Sequence, residues 1–252
     1  MQANTTDYIA KLTWQHTKTQ WKAFVLSPIL GFIAFGLLST LWVWLSQWIG
    51  IVGGILSFVT SLASLVFAVS YSGALAKWCE DLHKGASTLD IQAGYRYGLS
   101  RFWGTIGTGI LVMIKTFLWF LLLILPGYYK MVQYKHAMSI TRLEKISGNK
   151  ATQLSQKLVM EAGWLRTFGN LLSWKTITAI GLYIVGALAL LIGAAFAWIH
   201  PMAGGVIGGA LIGFVFIAFI ALIANFNTFE FLVYRDENSK AFNEAKAALG
   251  KL

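Results

Sequence analysis

One lysine in this sequence stands inside an otherwise apolar stretch, and its position makes it the residue with most potential for chemistry. Lys115 follows Trp103 by twelve residues in a run that continues to Leu125. In a helix rising 1.5 Å per residue, it would lie roughly 18 Å along the axis. A charge at membrane depth is costly, so such a residue is by default a candidate for binding an anion or lining a polar cavity. The alternative is that the helix begins among the lipid head groups and the lysine extends back to them.

A second group of polar side chains follows the Pro126-Gly127 pair. It consists of Lys130, Tyr134, Lys135 and His136. Polar, interrupted helices occur at membrane depth where they line a cavity or are buried in protein. Together with Lys115, these residues predict a basic site for anionic phospholipid head groups. The alternative is an interfacial helix whose charges lie in the head-group layer.

The elements that must position these residues are apolar runs near 20 residues long, the length of a helix that crosses a bilayer. Hydrophobic residues make up 57% of the 252-residue chain and charged residues 12%, against about 25% charged in soluble domains. The backbone must pair its own polar groups in lipid, so such runs are helical. The prediction is an all-α, polytopic transmembrane bundle that forms one integral membrane domain, 1–252. Five runs are visible, at 24–45, 51–76, 103–125, 176–199 and 205–226.

The distribution of Lys and Arg calls for a sixth crossing. With five crossings, the segment 127–175, which carries eight of the 20 Lys and Arg residues, would lie opposite the basic N-terminus. That arrangement contradicts the tendency of basic loops to stay in the cytosol. A short return helix at 127–141, starting at the Pro126-Gly127 break, removes the conflict and leaves both termini cytosolic. The alternative is a kinked third span that continues through 127–140.

Two further segments are predicted to be helical and cytosolic. Segment 150–172 has Leu154, Leu158, Leu165, Phe168 and Leu172 on one face, typical of an amphipathic helix at the membrane surface. The alternative for this segment is a connector that packs on the bundle. The tail 227–252 has apolar residues at helical spacing among charges, which predicts a short helix near its end.

Small residues predict close helix packing in the last apolar run. Gly205, Gly209 and Gly213 repeat at intervals of four, a spacing that lets helices approach in lipid. We favour contacts within the chain, and a second copy or another membrane protein is the alternative partner.

The sequence offers no recognisable catalytic or metal-binding pattern. None of the common hydrolase, protease, P-loop or dinucleotide motifs occurs, so no catalytic residue, cofactor or metal ligand is predicted. The net charge of +10 comes from basic residues between apolar runs, which favours anionic lipid over nucleic acid as the partner. The single cysteine, Cys79, excludes an intrachain disulfide.

The stretch from Trp119 to Lys130, an apolar run followed by Ile-Leu-Pro-Gly and a basic residue, resembles a known pattern. It is similar to bacterial multi-pass membrane proteins of unknown function related to the membrane domain of glycerophosphodiester phosphodiesterases. The segment Ala151–Gly169, with Leu154, Leu158 and Trp164, is similar to the amphipathic segment of that group. The resemblance covers about a third of the chain and departs from the group in the basic, tyrosine-rich residues after Pro126-Gly127. It implies six crossings and a bacterial cytoplasmic membrane, and no phosphodiesterase residue carries over.

The expected function is that of a non-enzymatic protein of the cytoplasmic membrane. It would act in membrane or envelope homeostasis, or as an accessory to another membrane protein. The alternative is a small transporter or permeation pathway with a basic intramembrane site around Lys115.

Overall fold

The computed structural model describes residues 5–199 and 221–250, and every element within those ranges is helical. The chain order is α1 (Thr5–Thr19), a π-helical segment (Lys22–Leu26), α2 (Ser27–Ile49), α3 (Ile51–His83), α4 (Ile91–Ser100), α5 (Phe102–Leu122), α6 (Ile124–Gln133), α7 (Ala137–Leu143), α8 (Gly148–Ala162), α9 (Trp164–Ile199), α10 (221–237) and α11 (Ser239–Gly250).

Within the residues that the structure describes, three helical stretches are long and apolar enough to cross a membrane. They are Lys22–Ile49, Ile51–His83 and Phe102–Leu122. The prediction of an all-α protein with membrane-spanning helices is therefore confirmed, whereas six crossings and cytosolic termini stay predictions. Gly205, Gly209 and Gly213 lie outside the described residues.

Helices α2 and α3 form a hairpin whose turn depends on glycine. Gly50 has φ +54°, a conformation that side-chain-bearing residues rarely adopt. Just beyond the turn, a Cβ added at Gly53 would lie 2.5 Å from the Ser46 Cα, so the two helices approach at backbone contact. The glycine pair therefore sets both the turn and the spacing of the hairpin.

Helix α3 changes environment along its length. Its N-terminal half exposes large apolar side chains such as Phe58 and Leu65, as a lipid-facing helix does. Its C-terminal half is buried, and Trp78 and Cys79 are almost inaccessible. The neighbours of that half define the basal core, a cluster of buried side chains from α1, the π-helical segment, α3, α7, α8, α10 and α11.

Helix α4 packs on the buried half of α3 through two glycines. A Cβ at Gly98 would lie 1.8 Å from the Ser70 carbonyl oxygen, and one at Gly73 would lie 2.5 Å from the Gly98 Cα. The start of α4 is held by Asp90, whose carboxylate accepts a hydrogen bond of 2.9 Å from the Ala93 N–H. At this crossing the backbones of the two helices are in direct contact.

The chain reverses direction after α5, but not at Pro126-Gly127 as predicted. The extended residue is Leu123, with φ −160° and ψ 141°, and Pro126 lies inside the first turn of α6. Proline is tolerated there because the N–H groups of a first turn lack helical partners. Beyond the reversal the chain runs back beside α5, where the Thr141 hydroxyl donates to the Thr108 hydroxyl over 2.9 Å. This packing favours a return segment over a third span that continues through 127–140.

The predicted amphipathic helix at 150–172 is two helices. Helix α8 ends at Ala162, and Gly163 turns the chain with φ +94° before α9 continues without a break to Ile199. The leucines of the predicted apolar face separate accordingly, because Leu154 is buried in the basal core while Leu165 is exposed. Helix α8 packs against α7, α11, α5 and α6, which is the connector arrangement.

His16 and Asp236 predict a loss of stability in acid. His16 stacks on Phe229 with ring centroids 5.4 Å apart, and burial, followed by the nearby His83, lowers its pKa below the ordinary 6.5. Asp236 accepts a 2.7 Å contact from His83. Burial acts to raise the pKa of Asp236, but its hydrogen bonds with His83 and Arg235 outweigh burial, so its pKa is lowered.

Both lowered pKa values have the same sign of effect. The unfolded chain binds more protons than the folded protein, so stability is fully present above the unfolded pKa and is lost as the pH falls through the folded one. We expect the melting temperature to fall through His16 as the pH is lowered from about 7 to 5, and to fall again through Asp236 below about pH 4. His16→Phe keeps the ring stacking and should flatten the upper part of that curve. If the dependence of the melting temperature on pH were unchanged in His16→Phe, the assignment of its upper part to His16 would be wrong.

Candidate functional site

The structure divides the five predicted site residues into two groups on opposite sides of one turn. Helix α6 ends at Gln133, and the chain turns through 134–136 before α7 begins. Because neighbouring side chains of a turn point in different directions, Tyr134 faces α5 and α8 while Lys135 and His136 face α10. The single basic pocket that the sequence predicts is therefore two sites.

Lys115 is tied to the first turn of α8. Its ammonium donates hydrogen bonds of 2.5 Å to Asn149 Oδ1 and 3.0 Å to Thr152 Oγ1. It also lies 5.7 Å from the centre of the Tyr134 ring, within range of a cation–π contact. The amine is thus partly exposed, with oxygens on one side and an aromatic face on another.

Lys130 approaches the same place from α6. Its ammonium donates to Gln133 Oε1 over 2.9 Å and lies 5.3 Å from the centre of the Trp119 ring. Lys115 and Lys130 are close enough for their charges to repel. Within residues 5–199 and 221–250, neither lysine forms an ion pair with a carboxylate. We call Lys115, Lys130 and Tyr134 the basic cluster.

An apolar groove of about 870 Å³ runs between α6 and the start of α9. Its lining residues are Leu125, Pro126, Tyr128, Tyr129, Met131, Trp164, Phe168, Leu171 and Leu172. Tyr129 stands between the groove and the basic cluster: its ring lies 5.2 Å from that of Trp164, and the Lys130 ammonium lies 6.0 Å from its centre. The basic cluster and the apolar groove therefore meet at Tyr129.

Lys135 forms a buried ion pair on the other side of the turn. Its partner is Glu230 of α10, and the two side chains are 6% and 0% exposed. The Asn170 amide of α9 donates to Glu230 Oε1 over 3.1 Å and to the Tyr234 hydroxyl over 2.9 Å. A buried charge pair is stable only when further hydrogen bonds complete it, and Asn170 supplies one. This network joins the turn at 134–136 to α9 and α10.

His136 is fully buried beside this network. Its ring lies 5.6 Å from that of Tyr234 and 6.1 Å from that of Phe231. Neither ring nitrogen has a hydrogen-bond partner in the part of the chain that the structure describes. Its backbone N–H donates to the Ser155 hydroxyl over 3.2 Å. His136 is therefore part of the aromatic packing, not of the basic cluster.

Sequence reasoning missed Glu230 and Asn170. Glu230 is the first acidic residue after Glu161 and lies at the end of the last apolar run. An ionisable residue in that position is a candidate for burial with a partner, which is the signal that could have identified it. Asn170 carried no such signal, because its partners come from a distant part of the chain.

Comparison of the chain with protein-family models, curated protein sequences and solved structures gives no match. The resemblance to the membrane domain of glycerophosphodiester phosphodiesterases thus remains a prediction from the motif around Pro126-Gly127.

Proposed function

We propose that this chain is a non-enzymatic, multi-pass protein of the bacterial cytoplasmic membrane that binds anionic phospholipid. It would act in membrane or envelope homeostasis, or as an accessory to another membrane protein. The observation that carries the proposal is the basic cluster, in which two lysines approach each other without a carboxylate partner in the described residues.

The electrostatics of the basic cluster favour an anionic ligand. Two like charges held close together are destabilising unless an opposite charge lies between or beside them. A phosphodiester head group supplies that charge, and both ammonium groups remain partly exposed to receive it. Aromatic faces at Trp119 and Tyr134 orient the lysines without neutralising them.

The apolar groove supports a lipid over a soluble anion. It begins at Tyr129, the residue that also contacts Lys130, so a head group at the basic cluster would have an apolar channel beside it. The groove volume of about 870 Å³ is large enough for much of an acyl chain. A lipid with its head group at the basic cluster and one acyl chain in the apolar groove would contact both surfaces.

Six crossings with cytosolic termini are part of this proposal. The reversal at Leu123 supports it, because it sends the chain back beside α5. Single cysteines at Gln47 and Leu123 should react with a membrane-impermeant thiol reagent only from outside. Cysteines at Asn149 and Asn238 should react only from the cytosol. Labelling of Leu123 and Asn149 from the same side would contradict the six-span topology. The native Cys79 is buried and gives little background.

Neutralising the basic cluster should weaken binding of anionic lipid. In Lys115→Gln/Lys130→Gln, we expect roughly 30-fold weaker retention of phosphatidylglycerol, since each lysine contributes about 1 kcal/mol near an anionic surface. Native mass spectrometry of the purified protein with phosphatidylglycerol and phosphatidylcholine measures the retention of each lipid. Lys157→Gln/Lys240→Gln removes the same charge from exposed positions and should change retention little. Equal losses in both double variants would overturn the proposal.

The non-enzymatic part of the proposal has its own test. Purified protein incubated with phospholipids or their soluble head groups should give no product. Turnover that Lys115→Leu abolishes would show that the protein is an enzyme.

A second candidate function is a small transporter. It is supported by the interruption of the helix at 134–136, where the buried Lys135–Glu230 pair lies beside the gap between α6 and α7. Broken helices with buried charges occur at the substrate sites of transporters. Proteoliposomes should then show uptake of an anion that Glu230→Gln abolishes while Lys115→Gln/Lys130→Gln retains it. Absence of uptake for phosphate, chloride and small carboxylates would exclude this candidate for those substrates.

A further inference from the structure

A cavity of about 310 Å³ lies between α7 and α10, away from the basic cluster. It is lined by Lys135, Met138, Ser139, Arg142, Ile223, Ala224, Asn227 and Thr228. Two of these residues are cations, and none is a carboxylate. The cavity is therefore positively lined, which is unusual beside a membrane-embedded bundle.

The charge of the cavity comes from Arg142. Lys135 is balanced by Glu230, which leaves the guanidinium of Arg142 as the excess positive group. In the part of the chain that the structure describes, the Arg142 side chain has no ion pair and its buried Nε has no hydrogen-bond partner. Burial lowers the pKa of Arg142 to about 10, so it remains a cation at neutral pH. A partly buried arginine without a counter-ion is costly unless an anion completes it.

The other polar groups of the cavity suit an anion with several oxygens. A guanidinium presents N–H groups in a planar fork that matches two oxygens of a phosphate. The Ser139 hydroxyl and the Asn227 amide add neutral donors. The Thr228 hydroxyl already donates to the Ala224 carbonyl over 2.9 Å, so it does not contribute a donor. The volume is at the small end of ligand pockets, which excludes a whole lipid.

We propose that the cavity between α7 and α10 binds a phosphate group through Arg142, Ser139 and Asn227, beside the Lys135–Glu230 pair. The phosphate is either a free ion or the terminal phosphate of a membrane lipid, since both present the same oxygens. The site is separate from the basic cluster because Lys135 and Tyr134 lie on opposite sides of the turn at 134–136. It therefore does not depend on the proposed lipid-binding function.

The test measures the affinity of the full chain, purified in an uncharged detergent, for inorganic phosphate by calorimetry and by the shift in melting temperature. Chloride at the same ionic strength is the reference. Phosphate should raise the melting temperature of the wild type. Arg142→Gln should bind phosphate about ten- to a hundredfold more weakly, as expected for loss of a charge-assisted hydrogen bond. Without phosphate, the variant should melt no lower than the wild type, because an unpaired charge has been removed.

Arg101→Gln is the matched control. Among the described residues, the buried Nε of Arg101 also has no hydrogen-bond partner, but Arg101 lies at the junction of α4 and α5 and does not line the cavity. It should keep the wild-type affinity for phosphate. Ser139→Ala, a smaller change, should weaken binding several-fold and serves if Arg142→Gln does not fold. Wild-type affinity in both Ser139→Ala and Arg142→Gln would overturn the proposal, as would the absence of any phosphate effect.

Two further arms separate the sites and the sources. Lys115→Gln/Lys130→Gln should retain phosphate affinity, and its loss there would assign the anion to the basic cluster and overturn the proposal. In nanodiscs, phosphatidic acid should compete with inorganic phosphate if the ligand is a lipid head group. If phosphatidic acid has no effect while inorganic phosphate still binds, the ligand is the free ion.

Discussion

Replacing Glu230 with alanine should destabilise the protein by about 3–5 kcal/mol, the cost of leaving one member of a buried ion pair without its partner. The ammonium of Lys135, whose side chain is only 6% exposed, would lose the carboxylate with which it is paired. Asn170 would also lose one of its two acceptors. The measurement is unfolding in detergent, followed by the change in helix signal with denaturant.

Two control variants test whether the loss of stability comes from leaving a buried charge unpaired or from losing an ion pair of any kind. Glu237→Ala breaks the pair with Arg166, whose side chains are 27% and 42% exposed, and should cost at most about 1 kcal/mol. Lys135→Met/Glu230→Leu removes both buried charges and should recover most of the stability lost in Glu230→Ala. If the double variant were as unstable as Glu230→Ala, the ion pair would stabilise the fold through more than the mutual neutralisation of its two charges.

Adding one methyl group at Gly98 should also have a large effect. The Cβ of Gly98→Ala would lie 1.8 Å from the Ser70 carbonyl oxygen, and backbone atoms cannot move aside as a flexible side chain does. Helix α4 must then separate from α3, and we expect a loss of about 3 kcal/mol or a failure to fold. Thermal unfolding of the purified variant, with its yield after size exclusion, measures either outcome.

Gly169→Ala is the control for helix propensity alone. Gly169 lies in α9, and a Cβ there would meet nothing within 4 Å. Alanine favours a helix over glycine by about 1 kcal/mol, so this variant should be as stable as the wild type or more so. A similar loss in Gly98→Ala and Gly169→Ala would contradict close helix packing as the cause.

The sequence predicted the helical membrane class because lipid forces the backbone to pair with itself, whatever the tertiary contacts. It also indicated that the chain reverses between Trp103 and Arg142, since basic residues on both sides of one span conflict with the charge rule. The predicted position of the reversal was wrong, because the residues around a proline look the same whether it lies in the first turn of a helix or at a break between helices. Leu123, the residue that does turn, carries no local signal.

The division of the basic residues could not be predicted from spacing. Tyr134 and Lys135 are neighbours, and a continuous helix would place their side chains within about 100° of each other. The turn at 134–136 sends them to different partners, and that turn depends on packing by Ser155, whose hydroxyl donates to the Gln133 carbonyl over 2.6 Å. Contacts between residues so far apart in sequence are tertiary, and no local pattern encodes them.

The continuity of α3 has a mechanical consequence. Its 33 residues extend roughly 50 Å, whereas the hydrocarbon core is about 30 Å thick. The half with Phe58 responds to the bilayer, and the half with Trp78 is fixed in the basal core, with no break between them. A thinner or thicker bilayer would change the tilt of α3. Because α3 is continuous, that change would also move the helices packed against its C-terminal half.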